Sequence, residues 1–235
     1  MTKITRGVKP NELLLFEHGF VRLDDSMASD LSVINSARVS FAVRKEEMDD
    51  RDKGLIKFLM RDRHGTPFEH NSFRFHVRAP IFVAREWFRH RMSSFNEESA
   101  RYHKLASDFY VPAPEDVRSQ VGKPGSYSFE PVDEAVAAET IDSFQRIYKN
   151  LSAEYEGLIE KGVAKELARA ILPIGIFTQF YWTLNARSLM NFLSLRNAET
   201  AQYEIRMYAE AIEQLFAEKM PITYECFVEF GRRAP

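Results

Sequence analysis

The chain has 235 residues, of which 45% are hydrophobic and 28% are charged, as in ordinary globular proteins. A net charge of −2 gives no global reason to expect binding to nucleic acid or to an anionic membrane. No apolar run approaches the roughly 20 residues that span a bilayer, and the first residues lack the apolar stretch of a secretory signal. The single cysteine, Cys226, excludes an internal disulfide, so we expect a cytoplasmic protein.

Hydrophobic spacing predicts an ordered series of elements in the first half of the chain. They are strand segments at 13–16 and 19–23, helices over 26–41 and 49–63, an alternating, half-buried strand over 72–79 and a helix over 81–91. Asp49 or Asp50 suits the N-cap of the second helix, and Gly65 followed by Pro67 marks the end of that helical region. Pro80 stands where proline is favoured, at the start of the third helix.

The second half of the chain is mainly helical in pattern, after two segments without clear periodicity. Polar residues over 92–107 predict a loop, and four prolines with two glycines over 112–131 predict a surface excursion. The remaining predicted elements are a long helix over 132–161, a short helix over 164–172, a strand over 177–184 and helices over 186–196 and 199–219. Gly162 and Pro173 stop the first two of these helices. The pattern predicts one α+β domain spanning 1–235.

The densest polar cluster lies at 85–104, on the predicted helix after Pro80 and the loop that follows it. Arg85 and Arg89 are four residues apart and share a helix face, and Arg91 stands where the helix gives way to loop. Several arginines on one segment of an acidic protein indicate an anion site, because guanidinium groups match phosphate oxygens bidentately. The alternative is a solvated helix face whose charge is balanced by nearby glutamates.

A second candidate surface lies on the predicted helix over 186–196. Arg187, Asn191 and Leu195 are four residues apart and line one stripe, with Arg196 beside it. Such a stripe can hold a polar ligand against an apolar flank, and hydrogen bonding between helices is the alternative use of the same side chains.

A third candidate is the pair formed by Glu166 and Arg169, which are three residues apart on the short helix over 164–172. In a binding site, Glu166 would orient Arg169 towards a phosphate. The alternative is an exposed ion pair.

Metal and Rossmann-type sites are not favoured by the sequence. His64, His70 and His76 are six residues apart across a proline turn and a strand, a spacing that does not converge on one ion, so we expect no metal. The chain also lacks G-x-G-x-x-G, P-loop and G-x-S-x-G motifs. A dinucleotide would therefore bind in some site other than a Rossmann crevice.

Four segments together resemble a known family. Arg89-His90-Arg91 followed by Ser99 is similar to the R-H-R-x7-S signature of flavin-dependent thymidylate synthases. The segments at 37–41, 64–70 and 185–192 also resemble segments of that family, and the resemblance runs from about residue 13 to about residue 230. It implies an antiparallel-rich sheet flanked by helices, in an arrangement that is not a Rossmann fold.

The resemblance also implies a reaction. Such an enzyme methylates dUMP to dTMP, taking the carbon from methylenetetrahydrofolate and the hydride from FAD that NADPH has reduced. Tetrahydrofolate leaves, and no cysteine nucleophile takes part. The family is a homotetramer whose active sites are shared between subunits. We expect dUMP, folate and NADPH as partners, and neither nucleic acid nor membrane.

Residue roles follow the matched segments. Flavin contacts are implied for Thr66, Glu69, Arg89, His90, Arg91, Asn185, Arg187 and Asn191. Contacts with dUMP are implied for Glu97, Ser99, Arg101, Arg169 and Arg196. Arg196, Arg89 and His64 are the catalytic candidates: Arg196 would stabilise enolate-like charge on the pyrimidine, and His64 would lie near the flavin and the folate entry.

One position departs from the family pattern. Many members carry glutamine where this chain has Glu86, and a carboxylate there would repel a nearby phosphate. We therefore expect Glu86 to pair with Arg89 or His90.

Two other functions compete with this interpretation. A classical thymidylate synthase needs a cysteine thiolate, for which Cys226 in its apolar setting is the single candidate. A nucleic-acid-binding module would use 85–104 with Tyr102 as a stacking platform, and it would bind no chromophore.

Overall fold

Six antiparallel strands form the main sheet of the computed structural model, which describes residues 4–123 and 126–235. In chain order these strands are β1 (Thr5–Arg6), β2 (Glu12–Leu15), β3 (Gly19–Met27), β4 (Ser72–Pro80), β5 (Ser94–Glu97) and β8 (Phe177–Asn185). Their order across the sheet is β1-β2-β3-β4-β8-β5, and each neighbouring pair is antiparallel. Between β5 and β8 the chain adds a hairpin of two strands, β6 (Arg118–Lys123) and β7 (Ser126–Pro131).

Helices flank this sheet, which confirms the predicted α+β class with an antiparallel-rich sheet. The helices are α1 (Asp30–Arg38), α2 (Asp50–Arg61), α3 (Thr66–Glu69), α4 (Ile81–Trp87), α5 (Glu134–Glu160), α6 (Lys165–Ala168), α7 (Ala186–Arg196), α8 (Tyr203–Lys219) and α9 (Pro221–Glu229). Single 3-10 turns occur at Val39–Phe41, Pro114–Asp116 and Arg169–Ile171.

The core lies on one face of the sheet, as the alternation over 72–79 predicts. Phe73, Phe75 and Val77 of β4 are fully buried, and the residues between them are more exposed and face the opposite way. Helices α4, α7 and α8 cover the buried face with large side chains. The ring of Trp87 on α4 lies 5.2 Å from the ring of Trp182 on β8, and both are fully buried. This packing fixes the end of α4 and the start of α7 relative to the sheet.

Several helix ends follow their predicted signals. The side chain of Asp49 caps α2 by accepting hydrogen bonds from backbone N–H groups of its first turn. Gly162 follows α5 with φ of +83°, a left-handed conformation that glycine adopts without a steric penalty. Asn185 ends β8 and caps α7, because its side-chain oxygen accepts the N–H of Ser188 at 2.9 Å. A strand thus passes directly into a helix at Asn185.

The helix expected over 26–41 is wrong in its bounds. Strand β3 continues through Met27, and Ser29 then caps α1, so that the helix occupies Asp30–Arg38. The strand pairing of β3 with β4 accounts for the difference, because cross-strand hydrogen bonds hold the residues before Ser29 in an extended conformation.

Two further errors affect the region of the predicted anion site. The helix expected over 81–91 ends at Trp87, after which the chain turns back towards the sheet. The loop expected over 92–107 contains β5, which pairs with the edge of β8. Strand β5 has four residues and three of them are exposed, so a periodic apolar pattern cannot reveal it.

The surface excursion expected over 112–131 is exposed along most of its length, but it contains the hairpin of β6 and β7. Pro124 and Gly125, which were part of that prediction, lie outside the described residues. The helix expected over 199–219 begins at Tyr203, and the sequence patterns did not reveal β1 or α9.

Candidate active site

A cleft of about 940 Å³ opens where β8 passes into α7, beside the turn that follows α4. Two arginine-bearing segments that are distant in the sequence meet there: the turn contributes Arg89 and Arg91, and α7 contributes Arg187 and Arg196. The lining residues are Glu69, Arg89, His90, Arg91, Met92, Ser93, Leu184, Asn185, Arg187, Ser188, Asn191, Leu195, Arg196, Ala234 and Pro235. The concentration of guanidinium groups makes the cleft suitable for an anionic ligand.

The wall that α7 contributes is the stripe that its sequence predicts. Arg187, Asn191 and Leu195 are exposed along the cleft. Leu189 and Phe192, on the opposite side of the helix, are fully buried in the core. The buried side therefore fixes the rotation of α7 and directs the polar stripe into the cleft.

Arg187 is held at the edge of the cleft by α3 and by the end of the chain. Its Nη1 atom donates to Oε1 of Glu69 at 2.6 Å, and its Nε atom donates to the carbonyl oxygen of Pro235 at 2.6 Å. A Cβ atom on Gly65 would lie 2.6 Å from that Nε atom, so a side chain at this position would displace the guanidinium from the turn before α3. Among the described residues, its Nη2 atom has no hydrogen-bond partner and is open to a ligand.

Arg196 is held by two residues of the α4 region. Its Nε atom donates to Nε2 of His90 at 2.9 Å, and its Nη1 atom donates to the carboxylate of Glu86. The ring of His90 packs edge-on against Phe192, with centroids 4.9 Å apart. These contacts connect the end of α7 with α4 and fix the guanidinium group at the wall of the cleft.

His90 is neutral near physiological pH. Burial, together with the positive charge of Arg196, lowers the pKa of His90 from 6.5 to about 4. Because the Nε–H group of Arg196 can only donate, Nε2 of His90 must accept, and the ring proton lies on Nδ1. His90 therefore acts in the cleft as a neutral hydrogen-bond acceptor.

The expected partner of Glu86 is wrong. Glu86 pairs with Arg196 and not with Arg89 or His90, although His90 shares the same arginine. The reason is the early end of α4: Arg89 lies in the turn beyond the helix, and its side chain points into the cleft.

The shared helix face expected for Arg85 and Arg89 is also wrong, for the same reason. Arg89 lines the large cleft, whereas Arg85 lines a second cavity of about 360 Å³. The second cavity is bordered by Ile81, Ala84, Arg85, Phe88, Glu97, Glu98, Ala100, Leu105, Arg169, Leu172, Ile176 and Thr178. No residue lines both cavities.

The second cavity collects part of the predicted dUMP-binding set. Glu97 and Arg169 both line it, and Glu97 accepts a hydrogen bond from Oγ1 of Thr178 at 2.7 Å. Ser99 and Arg101 lie on the segment that forms its rim, where Oγ of Ser99 accepts the backbone N–H of Arg101 at 3.3 Å.

The predicted pairing of Glu166 with Arg169 is wrong for the side chains. The carboxylate of Glu166 accepts a hydrogen bond from Nε of Arg101 at 3.1 Å, whereas Arg169 reaches only the backbone oxygen of Glu166, at 3.4 Å. The segment at 164–172 changes from α6 to a 3-10 turn at Arg169, and the tighter turn alters the relative direction of the two side chains.

The predicted residues thus fall into three groups. The large cleft is lined by Glu69, Arg89, His90, Arg91, Asn185, Arg187, Asn191 and Arg196. The second cavity is lined by Glu97 and Arg169. His64, Thr66, Ser99 and Arg101 line neither cavity; His64 is exposed and packs edge-on against Phe58 at 5.2 Å.

Some lining residues had not been singled out in the sequence. Met92, Ser93 and Ser188 lie within the two segments already chosen, so their positions could have been inferred from their neighbours. Ala234 and Pro235 had no such signal, because their place in the cleft depends on the packing of α9 against α2 and α8.

Cys226 lacks the exposure and the ionisation that a cysteine nucleophile requires. It is buried in α9 within the main core, and burial raises the pKa of its thiol to about 11. It lines neither the cleft nor the second cavity.

Residues 4–123 and 126–235 contain no group of three His, Cys, Asp or Glu side chains that could hold a metal ion. None of their helices combines the length and the hydropathy needed to cross a membrane.

The antiparallel sheet and its arginine-lined cleft define an α+β protein with a cleft suited to an anionic ligand, and the chain was compared with known proteins on that basis. The sequence profile of the family described as "Thymidylate synthase complementing protein" matches residues 22–222. A flavin-dependent thymidylate synthase of Thermosipho africanus is 46% identical over 220 residues, which cover 94% of this chain and 95% of that protein. One of Thermotoga neapolitana is 46% identical over 217 residues, covering 92% and 94%.

Solved structures show the same fold. The UMP/dUMP methylase PolB of Streptomyces cacaoi, bound with 5-Br UMP, has a TM-score of 0.86 and 44% sequence identity, covering 92% of this chain and 96% of that chain. A second structure of that methylase, bound with 5-Br dUMP, has a TM-score of 0.85. The chain therefore belongs to the flavin-dependent thymidylate synthase family, as the R-H-R-x7-S resemblance predicted.

Proposed function

We propose that this enzyme methylates dUMP to dTMP, with methylenetetrahydrofolate as the carbon donor, and releases tetrahydrofolate. The observation that carries the proposal is the convergence of Arg89, Arg187 and Arg196 on one cleft from two distant segments. The names of the relatives support the reaction, and the methylase structures with bound 5-Br UMP and 5-Br dUMP support a pyrimidine monophosphate as the substrate.

The large cleft suits FAD. Its volume of about 940 Å³ lies at the upper end of the range for small-molecule and cofactor sites. The open Nη2 atom of Arg187 and the side chain of Asn191 offer donors, and Leu195 offers an apolar surface beside them. When bound, reduced FAD supplies the hydride that completes the methyl group, and NADPH restores its electrons.

Arg196 is the residue that we assign to the chemical step. Methylation at C5 of uracil requires electron density at C5, which leaves enolate-like negative charge on a ring carbonyl oxygen. The guanidinium of Arg196 is fixed by two contacts and carries a permanent positive charge, so it can stabilise that charge without reorganising. Because His90 is neutral, it accepts a hydrogen bond from the guanidinium without placing a second positive charge beside it.

The remaining candidates are assigned to binding. Glu97, Ser99, Arg101 and Arg169 would hold dUMP, with the arginines directed to its phosphate. His64 and Thr66 flank Gly65, against which Arg187 packs, and we assign them to the rim of the flavin site. Cys226 has no role in this mechanism, because its thiol is buried and its pKa is about 11.

We propose further that the enzyme is a homotetramer with shared active sites and that it acts in the cytoplasm. The separation of the two cavities supports shared sites. One dUMP has to meet Arg196 in the large cleft and Arg169 in the second cavity, yet no residue lines both. A site completed by a second copy would bring the two sets together, which is a common arrangement in symmetric oligomers.

The first experiment is an absorbance spectrum of the purified protein, followed by an assay for dTMP. We expect the absorption of oxidised flavin and the formation of dTMP from dUMP, methylenetetrahydrofolate and NADPH. Protein that gains no flavin on mixing with FAD would contradict the proposal. Salt-sensitive binding of oligonucleotides in the absence of a chromophore would favour the nucleic-acid-binding alternative.

Shared sites can be tested by mixing two inactive variants. Arg196→Ala and Arg169→Ala would each inactivate every site of their own tetramers. Co-assembly should restore activity, because some sites then receive an intact Arg196 from one subunit and an intact Arg169 from the other. Mixtures that stay inactive after verified subunit exchange would show that each chain builds its own site.

A further inference from the structure

We propose that residues 231–235, a segment that we call the strap, position the guanidinium of Arg187 for FAD. The strap follows α9, and its residues Ala234 and Pro235 form part of the wall of the large cleft. It lies beyond the segments that resemble the family. The proposal rests on the proposed flavin site and adds to that site an element that acts through Arg187.

The main chain of the strap makes the contact with Arg187. The carbonyl oxygen of Pro235 accepts a hydrogen bond from Nε of Arg187 at 2.6 Å, and Pro235 is buried. Oε1 of Glu69 accepts a second hydrogen bond from Nη1, also at 2.6 Å. Because a guanidinium group is planar, acceptors at two of its nitrogen atoms fix both its position and its plane. Without the strap, the group could turn about the single contact with Glu69.

The two contacts also determine which donor of Arg187 remains for a ligand. Among the described residues its Nη2 atom has no partner. A guanidinium binds an anion bidentately through Nη2 together with either Nε or Nη1. Since both of those atoms are occupied, Nη2 is left to donate to a ligand by itself. The strap therefore sets the direction of this donor before FAD arrives.

A left-handed turn brings the strap from the end of α9 to Arg187. Gly231 and Arg232 have φ values of +74° and +56°, and their N–H groups donate to the carbonyl oxygens of Val228 and Phe227 at 3.1 and 2.8 Å. Residues with a side chain adopt this conformation infrequently. Arg232 therefore needs a further contact to hold the turn.

The side chain of Arg232 supplies that contact. Its Nη2 atom donates to Oε2 of Glu213 on α8, whose side chain is 9% exposed, and its Cζ atom lies 5.5 Å from the ring centroid of Phe227. The side chain of Asn197, the residue after α7, donates to the same carboxylate. Glu213 thus clamps the base of the strap to the end of the helix that carries Arg187.

The next residue of the strap provides a matched control. Arg233 is exposed and does not line the large cleft. Arg232→Ala and Arg233→Ala remove the same charge from the same segment, but only Arg232→Ala removes the clamp on Glu213. Deletion of residues 234–235 removes the acceptor of Arg187 directly and keeps the clamp. The deletion therefore still tests the proposal if Arg232→Ala does not fold.

The test measures Kd for FAD by fluorescence titration of the apoprotein, with the melting temperature as a check on the fold. Deletion of residues 234–235 should raise Kd by about three- to tenfold, because FAD binding must then also immobilise the side chain of Arg187. Arg232→Ala should raise Kd in the same direction and speed hydrogen exchange at the strap amides, measured by mass spectrometry. Arg233→Ala should change neither Kd nor the exchange.

A double-mutant cycle shows whether the strap acts through Arg187. In an Arg187→Ala background the same deletion should leave Kd unchanged, because the side chain that the strap positions is already absent. A strap that contacted FAD by itself, or that only stabilised the fold, would raise Kd by the same factor in both backgrounds.

Three results would overturn the proposal. They are a Kd that the deletion leaves unchanged or lowers, an equal increase of Kd in the Arg187→Ala background, and equal increases in Arg232→Ala and Arg233→Ala. A lowered Kd would identify the strap as a plug that FAD displaces. The titration needs no turnover. If the unaltered enzyme binds FAD but forms no dTMP, the proposed function fails while the role of the strap is still decided.

Discussion

Two groups of arginine, glutamate and histidine occur in this chain, and their surroundings differ. On the sheet, Arg22 meets Glu12 and His76; at the cleft, Arg196 meets Glu86 and His90. In both groups burial is the main cause that lowers the pKa of the histidine, and the arginine charge adds to it. By residue type and by contact the two groups are nearly equivalent.

The difference lies in what remains open. The ring of His76 is stacked on Tyr181 at 4.8 Å and packs edge-on against Phe20 at 5.0 Å, and its Nε2 atom lies 3.1 Å from Oε1 of Gln179. The group on the sheet is thus enclosed by aromatic and amide neighbours. At the cleft, Arg196 keeps Nη2 without a partner among the described residues and lines a large opening. A charged group becomes a candidate for catalysis when a donor is left over and faces a ligand-sized space.

The largest expected effect comes from Arg196→Ala. Removing a preorganised donor to developing negative charge should lower kcat for dTMP formation by about 100- to 1,000-fold. Bound flavin should remain, as judged by absorbance of the purified variant. Comparable activity in the variant would place the uracil-stabilising charge elsewhere. A variant that loses its flavin together with its fold would show that the arginine is structural.

Asn191→Ala should weaken FAD binding and should slow the chemical step much less. Asn191 is exposed on the stripe of α7 and lines the cleft next to Arg187. Losing one or two of its hydrogen bonds should weaken FAD binding by about tenfold, as measured by fluorescence titration of the apoprotein. At saturating FAD, kcat should recover. If kcat stays low at saturating FAD, Asn191 contributes to substrate binding or to the chemical step and not to FAD binding alone.

Arg22→Ala should affect stability and spare activity, in contrast to Arg196→Ala. Glu12 is 8% exposed, and the substitution leaves its carboxylate buried without the arginine. Leaving a buried polar group unpaired costs roughly 1–3 kcal/mol of unfolding free energy, which chemical denaturation would measure. Turnover per folded site should stay unchanged. A large loss of kcat would mean that the sheet group and the cleft group are coupled.

The sequence predicted which polar side chains lie together better than it predicted the bounds of the elements that carry them. The stripe of Arg187, Asn191 and Leu195 follows from helical periodicity, because α7 has a fully buried side that fixes its rotation. The R-H-R segment lines the cleft, although its helix ends at Trp87 and not near Arg91. Local spacing identifies which residues share a face as long as the element continues.

Contacts between distant segments were harder to predict. The pairing of Glu86 with Arg196 joins α4 to the end of α7, and no spacing within either segment indicates it. The pairing of Glu166 with Arg101 joins α6 to the segment after β5 in the same way. Electrostatics makes many such pairs acceptable, and the tertiary fold selects among them.

Acid should destabilise the protein through His90. The pKa of His90 is about 4 in the folded chain and near 6.5 when unfolded. Above pH 6.5 neither state binds the proton, so protonation of His90 takes nothing from the free energy of unfolding there. As pH falls from 6.5 towards 4, the unfolded state takes up a proton that the folded state does not, and stability is lost. His90→Gln should reduce the slope of unfolding free energy against pH in this window.

His76→Gln should also reduce the slope of unfolding free energy against pH, because the pKa of His76 is lowered in the folded chain as well. The two histidines should differ in a second measurement. At the cleft, His90→Gln should alter kcat, since His90 holds Arg196, whereas His76→Gln should not. Between pH 5 and 8 the kcat profile of the unaltered enzyme should show no step from His90, which stays neutral there.

The smallest expected effect is that of Cys226→Ala. The thiol is buried in α9, its pKa is raised to about 11, and it lines neither cavity, so it lacks both the ionisation and the access that a nucleophile needs. Turnover per folded site should be unchanged, with a modest loss of stability from the cavity that the smaller side chain leaves. Unlike Arg22, this group is neutral, so its loss leaves no buried charge behind. An inactive but folded and flavin-loaded variant would revive the mechanism of covalent attack by cysteine, and mass spectrometry of the enzyme with 5-fluoro-dUMP would then reveal the adduct.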